Sequence, residues 1–221
     1  MFQFLSHPLD PAGYAWPGEP VVKVEQCTEI SDTCPFASFM THLPNHCGTH
    51  MDAPRHFVPN GLNINQLPIE YFCHKDVLLI DVPKEAEQPV MPEDLMPYAD
   101  QIKGVTALLV RTGFEKYRDT DQDAYQNHGP YMAPELGKWL CANFPNLLVI
   151  GMDFLALGSP CNDLPPECHR NMLGYYTEKF VTAIEDMHLS DIPAGRLKQF
   201  FNAPLRVLGV DSSQVVCIAE V

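Results

Sequence analysis

The run from residue 46 to residue 57 (HCGTHMDAPRHF) constrains the fold more than any other part of the chain. It places two histidines and an aspartate, His46, His50 and Asp52, within seven residues, and these are ligand types of borderline divalent metals such as zinc. A helix would turn Asp52 away from the histidines. A straight strand would hold His46 and His50 about 13 Å apart, too far to share one ion at about 2.1 Å from each. The chain must therefore bend, and Gly48 tolerates the positive φ that a bend requires.

The second half of the run is separated from the first by Pro54. Proline fixes its own φ and lacks a backbone donor, so it should end the extended stretch and direct His56 independently. We interpret His46, His50 and Asp52 as metal ligands and His56 as a free imidazole that carries protons. The alternative is a loop of scattered polar residues, some merely hydrogen-bonded.

The same run resembles the signature His-x-Gly-Thr-His-x-Asp-x-Pro-x-His-Phe of the cyclase-like metal-dependent hydrolases. That family includes bacterial kynurenine formamidases and isatin hydrolases. The resemblance implies a β/β/α swivelling barrel flanked by helices, one or two zinc or manganese ions, and a dimer or tetramer. The segment Trp16-Pro17-Gly18-Glu19 is similar to a Pro-Gly-acid segment of the family. Trp16 is therefore a candidate for an aromatic wall of the substrate pocket, the alternative being a plain turn with a packed indole. Phe57 is a second candidate, because it follows His56.

Two further ligands follow from the resemblance alone: a histidine on a later helix and a glutamate after it. His169 fits the histidine, and Glu185 fits the glutamate. The spacing between them is about one helical turn longer than the family pattern, so Glu178 remains a rival. We favour Glu185, because an apolar strand delivers it and Glu178 lies in a polar stretch.

Length and composition indicate one soluble domain over residues 1–221, with 46% hydrophobic and 19% charged residues. The net charge of −14 argues against nucleic acid or an anionic membrane as a partner and leaves a small-molecule substrate. Eight dispersed cysteines without an export leader predict reduced thiols in a cytoplasmic protein. Cys47 and Cys168 adjoin proposed ligands, and we expect both to be buried apolar groups.

Hydrophobic patterning predicts an α/β fold with a mixed, barrel-like sheet flanked by helices. Continuous apolar runs at 76–82, 105–111 and 146–153 are typical of buried strands, and residues 180–184 read as a strand that delivers Glu185. Helices are expected at 133–144 and at 167–175, the latter carrying His169. Residues 114–131 look like a surface loop with a solvated His128, and Asp153 should cap a turn.

The leading functional hypothesis is hydrolysis of an aryl formamide such as N-formylkynurenine. A divalent ion lowers the pKa of bound water toward about 7, and His56 would protonate the leaving nitrogen. His42 is a weaker candidate for a residue that supports the metal ligands from behind. Phe2 or Phe4, together with Trp16, lies in an N-terminal arm that could cover the site of the same or of a neighbouring subunit. Two alternatives stay open: opening of a cyclic amide or lactone, and a non-catalytic metal-binding domain. A spare histidine beside the ligands disfavours the latter, because structural zinc sites are closed.

Overall fold

A computed structural model describes residues 1–221, and most of its strands belong to one ten-stranded sheet. The strands are β1 Phe2–Phe4, β2 Lys23–Thr28, β3 Ser38–His42, β4 His50–Asp52, β5 Cys73–His74, β6 Val77–Asp81, β7 Pro89–Val90, β8 Ala107–Arg111, β9 Tyr131–Met132, β10 Val149–Met152, β11 Thr182–Glu185, β12 Gly195–Leu197, β13 Gln199–Pro204 and β14 Ser212–Glu220. The α-helices are α1 Pro92–Leu95, α2 Ala99–Ile102, α3 Gln122–Asn127, α4 Pro134–Asn143 and α5 Pro165–Met172.

The strand order of the large sheet is β12-β6-β8-β10-β11-β4-β14-β13-β5, with β1 also paired to β14. Strands β6, β8, β10 and β11 are parallel neighbours, whereas β4 runs antiparallel to both β11 and β14. This mixed sheet curls into a half-barrel, so the predicted α/β, barrel-like architecture is confirmed. No helix is both long and apolar enough to cross a membrane.

Both faces of the parallel strands are buried, which explains why these strands read as continuous apolar runs. Leu108 and Ile150 face the core cluster shared with helix α4, whereas Leu109 and Ile184 face the cluster on the other side of the sheet. Each such side chain contributes about 1.5–3 kcal/mol on burial. The predicted strands are therefore present, with boundaries shifted by a few residues.

Helix α5 is positioned by a close approach to helix α4. A Cβ on Gly137 of α4 would lie 2.9 Å from the backbone nitrogen of Met172 in α5, so only glycine allows this spacing. The predicted helix at 167–175 begins earlier, at Pro165, and ends at Met172. Its middle residue, His169, is thereby held against the sheet.

The prediction of a surface loop at 114–131 was wrong. The segment contains the 3-10 helix Phe114–Tyr117 and helix α3, and it buries Arg118 and Tyr125. Burial is possible because Asp186 accepts hydrogen bonds from both side chains. A polar sequence can enter the interior when its polar groups find partners there.

The predicted N-terminal cover of the site is also absent from this chain's own fold. Phe2 and Phe4 lie in strand β1, paired with β14, and both rings are exposed. They border an apolar groove with Phe201 and Ile218, separate from the cavity described below. Pairing to β14 fixes the arm on that face of the sheet.

Candidate metal centre and its cavity

The predicted bend lies at Gly48, whose φ is +62°. This positive φ favours glycine, whereas the Leu9 Cδ2 atom that a Cβ would approach at 2.7 Å is the end of a flexible side chain. The bend brings the rings of His46 and His50 to a centroid distance of 5.2 Å. The extended chain then resumes as β4, which carries His50 and Asp52.

Asp52 lies at the centre of the site and is fully buried. Its Oδ1 is 3.2 Å from Nδ1 of His46 and 3.6 Å from Nε2 of His50. Its Oδ2 is 3.8 Å from Nε2 of His169 and 3.9 Å from Nε2 of His56. Neither carboxylate oxygen accepts a hydrogen bond. A buried carboxylate without partners is costly, and a cation among these ligand atoms would remove that cost.

Glu185 completes the inner side of the site. The pairing of β11 with β4 places it opposite His50, with 3.2 Å between Oε2 and the His50 Nε2. Its Oε1 is 3.6 Å from Nε2 of His169 and accepts a hydrogen bond of 2.6 Å from the backbone nitrogen of Leu157. Glu178, the rival, is exposed. Glu185 therefore occupies the position proposed for the acidic ligand.

Two of the histidines are oriented by backbone carbonyls. Nδ1 of His50 donates to the carbonyl of Gly48 at 2.8 Å, and Nδ1 of His169 donates to the carbonyl of Pro165 at 2.6 Å. Donation from Nδ1 leaves the lone pair on Nε2, which is the atom that faces Asp52 and Glu185. Both imidazoles are thus prepared to bind a cation through Nε2.

Asp211 was missed by the sequence analysis. Its carboxylate bonds to Nε2 of His46 at 3.0 Å, to Nδ1 of His56 at 2.9 Å and to Nδ2 of Asn45 at 2.7 Å. Asp211 therefore orients both His46 and His56, whose rings stack at a centroid distance of 4.0 Å. Nothing in the spacing of the motif pointed to a partner so distant along the chain.

The electrostatics of the site demand positive charge. Burial disfavours a charged imidazole, but the hydrogen bond to Asp211 and the nearby carboxylate of Asp52 outweigh it and raise the pKa of His46 to about 10. The pKa values of His50 and His169 are also raised, because the nearby Glu185 carboxylate offsets the effect of burial. Burial raises the pKa of Glu185, but the proximity of the same two histidines holds it well below its usual range. A divalent ion would satisfy this demand and displace the protons from the imidazoles.

The metal centre opens into a cavity of about 610 Å³, a volume that suits a small aromatic molecule. Trp16 and Phe57 both line it, as do His56 and His169. The ring of Phe57 stacks on His169 at a centroid distance of 4.5 Å and meets His56 edge-on at 4.5 Å. Phe57 therefore supports two of the histidines and also forms part of the wall.

Other candidates from the sequence lie outside the centre. His42 is exposed beside Glu25 and takes no part in the site. Cys47 and Cys168 are buried, and burial raises the pKa of the Cys168 thiol to about 12. These thiols behave as the apolar groups that the sequence predicted, and all eight cysteines are free.

The structural role predicted for Asp153 is confirmed. Its carboxylate accepts hydrogen bonds from the backbone nitrogen and hydroxyl of Thr112 and from the backbone nitrogen of Gly113. Burial nevertheless raises its pKa to about 6. His128 is exposed and bonds to Glu87, as expected of a solvated histidine.

Comparisons with known proteins show the family and the fold. A family model described as "Putative cyclase" matches residues 4–158. A kynurenine formamidase from Sphingopyxis alaskensis is 26% identical over 97% of this chain and 95% of its own length. An uncharacterized protein from Haemophilus influenzae is 54% identical over 58% of this chain and 91% of its own length.

Solved structures share the fold at lower identity. Isatin hydrolase A from Labrenzia aggregata superposes with a TM-score of 0.81 at 22% identity, covering 99% of this chain and 93% of that one. A structure described as a potential metal-dependent hydrolase with cyclase activity has a TM-score of 0.73 at 19% identity, covering 99% and 96%. The same half-barrel fold is therefore found in proteins described as an isatin hydrolase and as a potential metal-dependent hydrolase.

Proposed function

The chain belongs to the cyclase family, and from that premise we propose that it is a metal-dependent hydrolase that cleaves aryl formamides. The observation that carries the proposal is Asp52, whose two buried oxygens lie without hydrogen-bond partners among four imidazoles. The ligands are His46, His50, Asp52, His169 and Glu185, and the ion is zinc or manganese. When bound, such an ion supplies a nucleophile from water at neutral pH and polarises the substrate carbonyl.

His56 moves the proton in this scheme. Its Nδ1 is held by Asp211, and its ring lines the cavity with about a quarter of the side chain exposed. Asp211 thereby leaves Nε2 free to exchange protons. Nε2 accepts a proton from the attacking water and then donates it to the formamide nitrogen as the C–N bond breaks. The products are formate and the free aryl amine.

The aromatic wall supports an aromatic leaving group. Trp16 and Tyr14 are half-buried and line the cavity together with Phe57. An aromatic amine is also a good leaving group once protonated, which suits a single imidazole. The 26% identity to a kynurenine formamidase over nearly the whole chain favours the same class of substrate.

A second candidate is opening of a cyclic amide or a lactone, favoured by the fold shared with isatin hydrolases. The chemistry at the carbonyl is the same, but the leaving group stays tethered to the product. A cytoplasmic location and a dimer or tetramer remain predictions from the sequence.

The test is metal analysis of the purified protein, followed by assays on formanilide, N-formylkynurenine, isatin and a lactone. We expect cleavage of the N-formyl aryl amines with zinc or manganese and loss of activity with a chelator. Turnover of isatin or the lactone without any formamide cleavage would establish the second candidate instead. Bound metal without turnover of any of them would indicate a non-catalytic domain.

A further inference from the structure

The mouth of the cavity is acidic. Glu19 precedes strand β2 and Asp163 precedes helix α5, and both are exposed residues that line the cavity. Neither carboxylate has a hydrogen-bond or ion-pair partner within the chain. Because they come from two separate segments and are both solvent-accessible, they lie at the outer end, whereas the buried Asp52 and Glu185 define the inner end.

No lysine or arginine lines this cavity. Two arginines beside its walls are engaged elsewhere: Arg118, which lies over the Tyr14 ring, binds Asp186 through two nitrogens, and Arg170, next to His169 in sequence, pairs with Glu167. Arg55 faces a neighbouring shallow depression on the other side of His56 and Phe57. Away from the metal centre and its histidines, a substrate carboxylate would therefore meet Glu19 and Asp163 and no lysine or arginine.

The cavity also offers an aromatic surface next to one of these acids. Trp16 and Glu19 lie three residues apart in one turn, closed by a hydrogen bond of 2.9 Å from the Glu19 nitrogen to the Trp16 carbonyl. Both residues line the cavity, and an indole ring and a carboxylate each attract an ammonium group. A cation at the inner end and carboxylates at the outer end would give the cavity a polarity along its length.

From these observations we propose that the enzyme prefers aryl formamides that carry an ammonium side chain and no carboxylate. The inference rests on the proposed function and specifies its substrate class. The carbonyl of such a substrate lies at the metal centre and its ammonium group near Glu19 and Asp163. Unpaired carboxylates at the mouth raise the local concentration of a cationic substrate there, and we expect an effect of about tenfold.

A matched pair of substrates tests the preference. N-formylkynurenine and N-formylkynuramine share the aryl formamide and the side-chain ammonium, and only the former has a carboxylate. We expect kcat/KM to be about tenfold higher for N-formylkynuramine, chiefly through a lower KM. The ratio of kcat/KM for N-formylkynuramine to that for N-formylkynurenine should fall as the salt concentration rises to about 1 M. At that concentration charges act over only about 3 Å.

The double variant Glu19→Gln, Asp163→Asn keeps side-chain size and removes both charges. In this variant the ratio of kcat/KM between N-formylkynuramine and N-formylkynurenine should fall to about twofold or less. Formanilide, assayed with the same variant, is the neutral reference substrate. Glu178→Gln, an exposed acid outside the cavity, is the matched control and should keep the wild-type ratio. An unchanged ratio in the double variant, or equal kcat/KM for both substrates in the wild type, overturns the inference.

Failure of the proposed function can be told apart from failure of this inference. If formanilide is not cleaved by the metal-loaded protein, the formamidase proposal is wrong. Equilibrium binding of the two product amines then decides the charge preference without any turnover. Kynuramine that binds about tenfold more tightly than kynurenine supports the preference, and equal affinities refute it.

Discussion

Two clusters in this protein contain the same residue types and differ in how their carboxylates are satisfied. The first is the metal centre around Asp52. The second joins His7, Glu115 and His188, whose nitrogen and oxygen atoms also lie within 4.8 Å of one another. Composition and spacing alone would rank both as metal sites.

In the second cluster the protein already supplies the donors. Oε2 of Glu115 accepts hydrogen bonds of 2.9 Å from the backbone nitrogens of both Leu189 and Ser190, and Oε1 bonds to Nδ1 of His188. Asp52, in contrast, has no donor at either oxygen. The Glu115 cluster therefore links distant segments of the chain, whereas the Asp52 cluster retains lone pairs that are available to a cation. Unsatisfied buried acceptors distinguish a metal site better than ligand types do.

The largest expected effect separates the two clusters directly. Asp52→Asn should abolish metal binding and nearly all activity, because it removes the carboxylate that lies within 3.9 Å of all four imidazoles of the site. Added zinc or manganese should stabilise the wild type by about 4 kcal/mol at a thousandfold excess over the dissociation constant, and should not stabilise this variant. Metal analysis measures the bound metal, and thermal unfolding measures the stabilisation by added metal. Glu115→Gln is the control variant and should keep its metal. Full occupancy in Asp52→Asn would overturn the assignment of the centre.

The acidic ligand can be tested by comparing two glutamates. Glu185→Gln should lose most bound metal and activity, since Glu185 is buried against His50 and His169. Glu178→Gln should retain both, because Glu178 is exposed. Metal analysis and kcat/KM of the two variants give the ranking, and a reversed order would move the ligand to Glu178.

His56 should separate chemistry from metal binding. His56→Ala is expected to keep its metal and to lose about 10²–10⁴-fold in kcat, the range for a general acid–base group. Metal content measured together with kcat tests this expectation. A metal-free protein would instead make His56 a ligand.

Asp211 should have a smaller effect, because it acts through the histidines that it orients. Asp211→Asn is expected to reduce kcat by about 10–100-fold, the range for outer partners of metal ligands. An amide in place of the Asp211 carboxylate removes the negative charge that faces His46 and His56. The pH profile of kcat should therefore change, whereas a purely structural role would leave it unaltered. An unchanged kcat and profile would show that His56 is held by other contacts.

The smallest expected effect concerns stability in the second cluster. Glu115→Gln should lower the free energy of unfolding by about 1–3 kcal/mol, the cost of leaving buried hydrogen-bond partners unsatisfied. Glu87→Gln breaks an exposed histidine–glutamate pair and should cost at most about 1 kcal/mol. Chemical denaturation of both variants compares them, and equal costs would show that Glu115 is not a structural link.

The sequence by itself determined the local geometry of the motif and the character of the sheet. The bend at Gly48 followed from the distance two imidazoles can span to one ion, and the strands followed from apolar runs that are buried on both faces. Both conclusions depend on chemistry within a few residues. His169 and Glu185 needed the family resemblance, because their distance from the motif carries no physical signal in one sequence.

Only the tertiary structure decided how groups far apart along the chain satisfy one another. Asp211 meets His46 and His56 because β14 pairs with β4, a contact set by the sheet and not by spacing. The polar segment 114–131 is partly buried because Asp186 provides partners for it. Whether a polar group lies in water or in the interior depends on donors and acceptors contributed by other strands, and those become visible only when the chain has folded.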